Sequence, residues 1–170
     1  MLFKDLLNIK FNRNDNRVDE DTLKKLLPKT PKDIIEQFYS DHGRNEVFQS
    51  QYEKIDLLKV SWSKLSVRAD TLSECSYYEG YNSVEVCAEW AKAIVKDGWD
   101  YLDFYPDEVV DSWRNSKTWF RIPVFINGRL INRNNRYHLV EGHSRLGLLK
   151  GLLENGIIQN ESTHDIWYGS

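Results

Sequence analysis

The sequence predicts an α+β fold, a small mixed sheet with flanking helices over residues 54–170, preceded by a helical extension over residues 1–53. Three observations predict it. Short β-branched or alternating stretches (KIDLLKVSWSKLSV, FRIPVFI, YHLV, HDIWYG) are separated by segments whose apolar residues recur at helical spacing. The order reads strand, helix, strand, strand, helix, strand, the pattern of one small α+β domain. At 170 residues, with 41% apolar and 29% charged side chains, the chain is long enough for one cored domain and too apolar for a disordered one.

The elements follow in order. Residues 20–27 form a short helix closed by Pro28. Thr30, Pro31 and Asp33 read as the next helix start, with Thr30 as N-cap and Pro31 in the first turn. Ile34, Ile35 and Phe38 share its apolar face, and it fades before Gly43. A further helical turn is expected over 46–51. Lys54 to Val67 reads as one strand or a bent pair. Beyond the tyrosine-rich loop SYYEGYNS, Asn82 and Glu85 stand at capping-box spacing. Val84, Cys87, Ala88, Ala91 and Val95 then mark a helix that Gly98 stops. Pro106 opens a short helix (PDEVVDSWRN). A strand over Trp119–Ile126, the loop NGRLINRNN and a strand over Tyr137–Val140 lead into an amphipathic helix from Ser144 to Glu154. Leu146, Leu149 and Leu153 face its core side with Leu148 and Leu152 beside them, and Gly156 ends it.

Composition narrows the function classes. No run of about 18 apolar residues is present, so no membrane-spanning helix is expected. The N-terminus, with Asp5 inside its apolar stretch and no small-residue cleavage site, does not read as a signal peptide. Cys75 and Cys87 form neither a disulfide framework nor a zinc motif, and two reduced thiols in a cytoplasmic protein are expected. Charge is strongly segregated. Residues 114–150 hold eight basic side chains against one acid, whereas residues 69–113 hold eleven acids against two lysines. The basic block surrounds one short motif, which suggests an anionic ligand there; mutual neutralisation of the two blocks across the fold is the competing explanation.

That motif is Glu141-Gly142-His143-Ser144-Arg145, placed where a buried strand turns into a helix. Helix-start N–H groups lack intrahelical partners and carry partial positive charge. Gly142 lets a bulky oxyanion approach the backbone, Ser144 adds a hydroxyl or caps the helix, and Arg145 offers a bidentate fork. These are the parts of a phosphate cradle. Read as chemistry, Glu141 is a candidate general base or metal-placing carboxylate and His143 a candidate donor to a phosphoryl oxygen. A strand-end charge paired to Arg129, Arg133 or Arg136 is the structural alternative for Glu141. His138 reads as a satisfied structural histidine. No spacing supports a metal cluster of His138, His143 and His164, and no metal ligands are assigned.

The segment resembles the ParB/sulfiredoxin superfamily, whose members share Gly-x-x-Arg at a strand-to-helix turn. The glycine-ended helix AKAIVKDG, the strand RIPVFI, the run RYHLVEGHSRLGLL and the closing IWYG stand in the family's order, over about residues 84–168. The resemblance implies a nucleotide di- or triphosphate, with Mg²⁺, held at Gly142, Ser144 and Arg145. It implies a phosphoryl-transfer or nucleotide-hydrolysing activity carried by Glu141 and His143. Sulfiredoxins place a catalytic Cys where this chain has His143, so peroxiredoxin repair is not expected. ParB proteins usually have a second Arg at the position of Ser144 and continue into a helix-turn-helix domain, whereas this sequence ends at Ser170, so partitioning activity is not expected either. The alternative is a regulatory module that binds nucleic acid or a protein partner without catalysis. Arg129, Arg133 and Arg136 are candidate contacts for nucleotide or nucleic-acid phosphates, or equally a solvated hairpin, and Tyr77, Tyr78 and Tyr81 are candidate base-stacking rings, or equally a loop packed on the core.

Overall fold

A computed structural model describes residues 1–80 and 82–170, so the expectation for Tyr81 lies outside the described residues. The class is α+β, as the element order suggested. Four strands form one mixed sheet: β1 (Trp62–Arg68), β2 (Val124–Ile126), β3 (His138–Glu141) and β4 (Thr163–Gly169), in the order β1-β4-β2-β3. β1 runs antiparallel to β4, β4 parallel to β2, and β2 antiparallel to β3. The helices are α1 (Glu20–Leu26), α2 (Lys32–Ile34), α3 (Glu46–Tyr52), α4 (Ala69–Ser73), α5 (Ser83–Asp97), α6 (Asp107–Asp111) and α7 (His143–Glu154). α2 runs on as a π-helical turn, Ile35–Ser40, and α6 likewise into Ser112–Ser116.

Side chains of β2, β3 and β4 alternate between two covered faces, while β1 at the sheet edge is largely exposed. Phe125, Leu139, Ile166 and Tyr168 face a layer built from α4, α5 and α7. Val124, Ile126 and Val140 face the other way, into a cluster supplied by residues 3–57, with Phe3, Leu6, Ile34, Phe38 and Tyr52 at its centre. The N-terminal residues therefore cover one side of the sheet directly behind the motif strand.

Several local expectations are corrected. Pro31, not Thr30, takes the N-cap position of α2, and no side chain caps it. The stretch 54–60 forms turns, and β1 begins only at Trp62, because Ile55 and Leu57 anchor the N-terminal cluster instead of pairing in the sheet. The strand expected over 119–126 shrinks to Val124–Ile126. Trp119 leaves the ladder to bury its ring against Trp113 and His164, its indole N–H donating to the Asp165 carbonyl at 2.8 Å. Asn82 precedes α5 without a side-chain cap, so the capping box does not form. On α5, Ile94 is buried and Val95 is 66% exposed. On α7 only Leu153 departs from the expected face, being partly buried, while Leu146, Leu148, Leu149 and Leu152 are in the core.

Candidate functional site

The motif turn forms where the sequence places it. β3 ends at Glu141, Gly142 adopts φ +109°, and α7 begins at His143 with no side-chain cap. The glycine is required by packing as well as by φ. A Cβ at Gly142 would stand 2.7 Å from the Pro123 Cβ and 3.2 Å from the Arg145 Nε. The space expected to admit an oxyanion at Gly142 is thus filled by Pro123 and by the motif's own arginine.

Arg145 is turned back onto the protein. One terminal nitrogen donates to the Gln37 Oε1 at 3.0 Å and to the Arg121 carbonyl at 2.7 Å, and the other pairs with the Glu141 carboxylate. Gln37, buried in the π-helical turn, donates in turn to the Ile122 carbonyl at 3.2 Å. Arg121 reaches the same turn from the other side, pairing with Glu36 at 3.1 Å. Burial presses the Arg145 pKa downward and the Glu141 charge pulls it back. Glu141 takes none of the partners expected for it: it pairs with the arginine four residues on, and Arg129, Arg133 and Arg136 are not its partners in any ion pair among the described residues.

His143 lies on a different side of the turn. Its ring meets the edge of Tyr77, centroids 6.3 Å apart, and Tyr77 donates to Glu85 at 2.7 Å. Burial lowers the His143 pKa; Glu141 opposes that shift, and charge on His42 and Arg145 adds to it. His42, stacked on Phe48 at 4.0 Å, belongs to this neighbourhood, since the Glu141 carboxylate acts on it as well. Neither His42 nor Gln37 is marked by any local motif. Both lie about a hundred residues upstream and arrive only because the N-terminal layer packs behind β3.

Ser144 and Arg145 open instead onto a cleft of about 280 Å³, which they line together with Tyr105, Glu108, Phe120 and Arg121. Phe120 is 60% exposed on its rim. The Tyr105 hydroxyl lies 3.0 Å from the Cys87 Sγ, which fixes the ring as a wall. Glu108 enters no ion pair among the described residues. Glu141 and His143 do not line this cleft, so the motif is divided between two sides of the turn.

The remaining polar residues have structural settings. His138 is fully buried, its Nε2 3.1 Å from the Tyr52 hydroxyl and its Nδ1 2.9 Å from the Ser76 hydroxyl, and burial pushes its pKa down to about 4. His164 bonds Thr118 through Nδ1 at 2.9 Å. Arg68 pairs with Asp70 at 2.5 Å. In the basic loop Arg133 donates to Gln51 at 3.4 Å, and Arg136 lies over the Tyr137 ring. Both cysteines are buried free thiols. Among the described residues no three His, Cys, Asp or Glu side chains stand together to hold a metal ion, and no helix is long and apolar enough to cross a membrane.

The chain's comparison set spans protein-family models, curated proteins and solved structures. No match was found in any of the three.

Proposed function

We propose that the protein is a ParB/sulfiredoxin-like binder of a phosphorylated ligand of the nucleotide class, held at the first turn of α7. The observation that carries this reading is the Glu141–Arg145 pair. A carboxylate already lies on the motif guanidinium beside an uncapped helix N-terminus, which marks the turn as a place that stabilises an anion. A ligand phosphate takes the same donors by displacing the protein's own carboxylate. Ser144 contributes its hydroxyl from the cleft side, and Arg121 supplies a second guanidinium. Mg²⁺ accompanying the nucleotide would be held by the phosphate oxygens, since no cluster of protein ligands is assigned to it.

The resting arrangement bears on chemistry too. The Glu141 carboxylate is occupied by the Arg145 guanidinium, so it is free to meet a ligand only after Arg145 has moved to a phosphate. This favours, as a second reading, a regulatory module that binds without turnover.

A thermal-shift and titration screen against ATP, ADP, CTP and GTP with Mg²⁺ tests the proposal. One nucleotide should stabilise the protein, Arg145→Ala should abolish the shift, and Glu141→Gln should tighten binding by about tenfold by vacating the guanidinium. Absence of any shift in both wild type and Glu141→Gln would sink it. Phosphate release measured on the same samples separates the two readings. Steep salt dependence of DNA binding would point instead to the basic loop.

A further inference from the structure

We propose that the cleft beside the motif turn is a docking site for a basic amphipathic helix of a protein partner, which seats an apolar side chain in it. The proposal does not rest on the nucleotide reading. Tyr105, Pro106, Val109, Phe120 and Leu148 line the cleft, and the surface it exposes is almost wholly apolar. Its two arginines are tied to other partners, Arg121 to Glu36 and Arg145 to Glu141, so in this state they give the cleft no free cation. The apolar wall continues outside it. Tyr105 packs on Phe104, centroids 4.9 Å apart, and Phe104 meets Trp90 edge-on at 4.7 Å. Phe104 and Phe120 are left 55% and 60% exposed. Contiguous exposed aromatic rings mark interaction surfaces, and buried aromatic anchors dominate the energetics of protein interfaces. At about 280 Å³ the cleft falls below the roughly 300–1,000 Å³ of small-molecule pockets, and suits an anchoring side chain better than a whole ligand.

Charge decides the occupant. Residues 97–111, which carry Phe104, Tyr105 and α6, hold six carboxylates and no lysine or arginine. All six, Asp97, Asp100, Asp103, Asp107, Glu108 and Asp111, are exposed. Asp100 and Asp111 share Arg114, at 3.6 and 3.8 Å; the other four enter no ion pair among the described residues. A negative field around an apolar patch repels nucleic acid and an anionic lipid surface, and it steers in a segment whose lysines and arginines flank apolar side chains. In a helix, apolar residues at i, i+3, i+4 and i+7 form one stripe bordered by charged positions, which matches an apolar cleft in an acidic surround. A second copy of the chain does not match. Its basic block, residues 114–150, has no exposed large apolar side chain among the described residues except Phe120, which already belongs to the cleft.

The probe is a fluorescein-labelled helical peptide of leucine and lysine, with leucines at i, i+3, i+4 and i+7, titrated with the full chain and read by anisotropy without nucleotide. One control peptide replaces every lysine by glutamate, and a second replaces every leucine by alanine. The leucine–lysine peptide should bind at least about tenfold more tightly than either control. Phe120→Ser should weaken its binding by about tenfold or more. The double variant Asp107→Asn, Glu108→Gln should weaken it too and flatten its salt dependence. All three side chains are exposed, so both variants should fold, which far-UV circular dichroism checks. Three results would overturn the proposal: no binding of the leucine–lysine peptide, equal binding of the glutamate control, or an affinity that Phe120→Ser leaves unchanged. Concentration-dependent dimerisation in analytical ultracentrifugation, abolished by Phe120→Ser, would assign the cleft to a second copy and overturn it as well. Nucleotide titrations on the same protein keep this proposal and the phosphate reading separable.

Discussion

Gln37 is the residue whose role is least visible locally and largest in the folded protein. Its amide accepts from Arg145 and donates to the Ile122 carbonyl, joining the N-terminal layer to the motif turn through two bonds of a buried group. Buried polar groups left unpaired cost far more than a made bond contributes. Gln37→Leu keeps the volume, orphans the Ile122 carbonyl and leaves that Arg145 nitrogen with only the Arg121 carbonyl. We expect it to lower stability by about 1–3 kcal/mol in urea denaturation. A loss under about 0.5 kcal/mol, the scale of an unremarkable surface change, would show that the network does not fasten the layer.

At the scale of elements, the closest packing in the molecule lies between α5 and α7. Gly147 and Gly151, one turn apart on α7, lie against the α5 backbone. A Cβ on Gly147 would stand 2.4 Å from the Val84 carbonyl oxygen, and one on Gly151 2.2 Å from that of Ala88. The obstacles are main-chain atoms of a well-packed helix, which cannot swing aside as a side chain can. In an isolated helix Gly→Ala is stabilising by about 1 kcal/mol through propensity. Here the separation of the two helices outweighs that term, and Gly151→Ala should destabilise by about 1–3 kcal/mol. Chemical denaturation measures the sign directly, and a stabilised variant would refute the close-packed interface. Because α7 also presents the motif, moving the helix outward should weaken phosphate binding in parallel.

Across the whole molecule, histidine burial makes stability depend on pH. All four histidines are held below their ordinary pKa of 6.5, with burial the leading cause, and His138 is pushed down to about 4. Between those two values the unfolded chain binds a proton that folded His138 refuses. Its contribution is fully present above pH 6.5, falls as pH drops, and is lost below about 4; for His138 alone this amounts to about 3 kcal/mol. The urea midpoint should therefore decline steadily from pH 7 to pH 4.5. An NMR titration should show the His138 ring neutral at pH 5. Protonation of that ring near pH 6.5 in the folded state would contradict its placement between Tyr52 and Ser76.

How much of this was legible in the sequence depends on the range of the interaction. α1 before Pro28, α5 ending at Gly98 and the strand–glycine–helix turn at Glu141–Arg145 are set by neighbours within a few residues, through caps, glycine conformations and apolar spacing. Periodicity also marks which helix faces are buried, though it misassigns Val95 and Leu153, where neighbouring elements rather than spacing decide exposure. The shortened β1 and β2 were not legible, because Ile55, Leu57 and Trp119 satisfy strand patterns equally well as core anchors outside the ladder. Nor was the state of the motif. The residue types at 141–145 and their place at a helix start follow from the sequence alone. That Arg145 is turned inward onto Gln37 and Arg121, that Glu141 neutralises it, and that Ser144 and His143 open onto different surroundings were decided by the tertiary structure. The physical reason is that a guanidinium's partners are chosen by whatever acceptors packing brings within 3 Å. Here those acceptors come from residues 24 and 108 positions away in the chain, which no local pattern encodes.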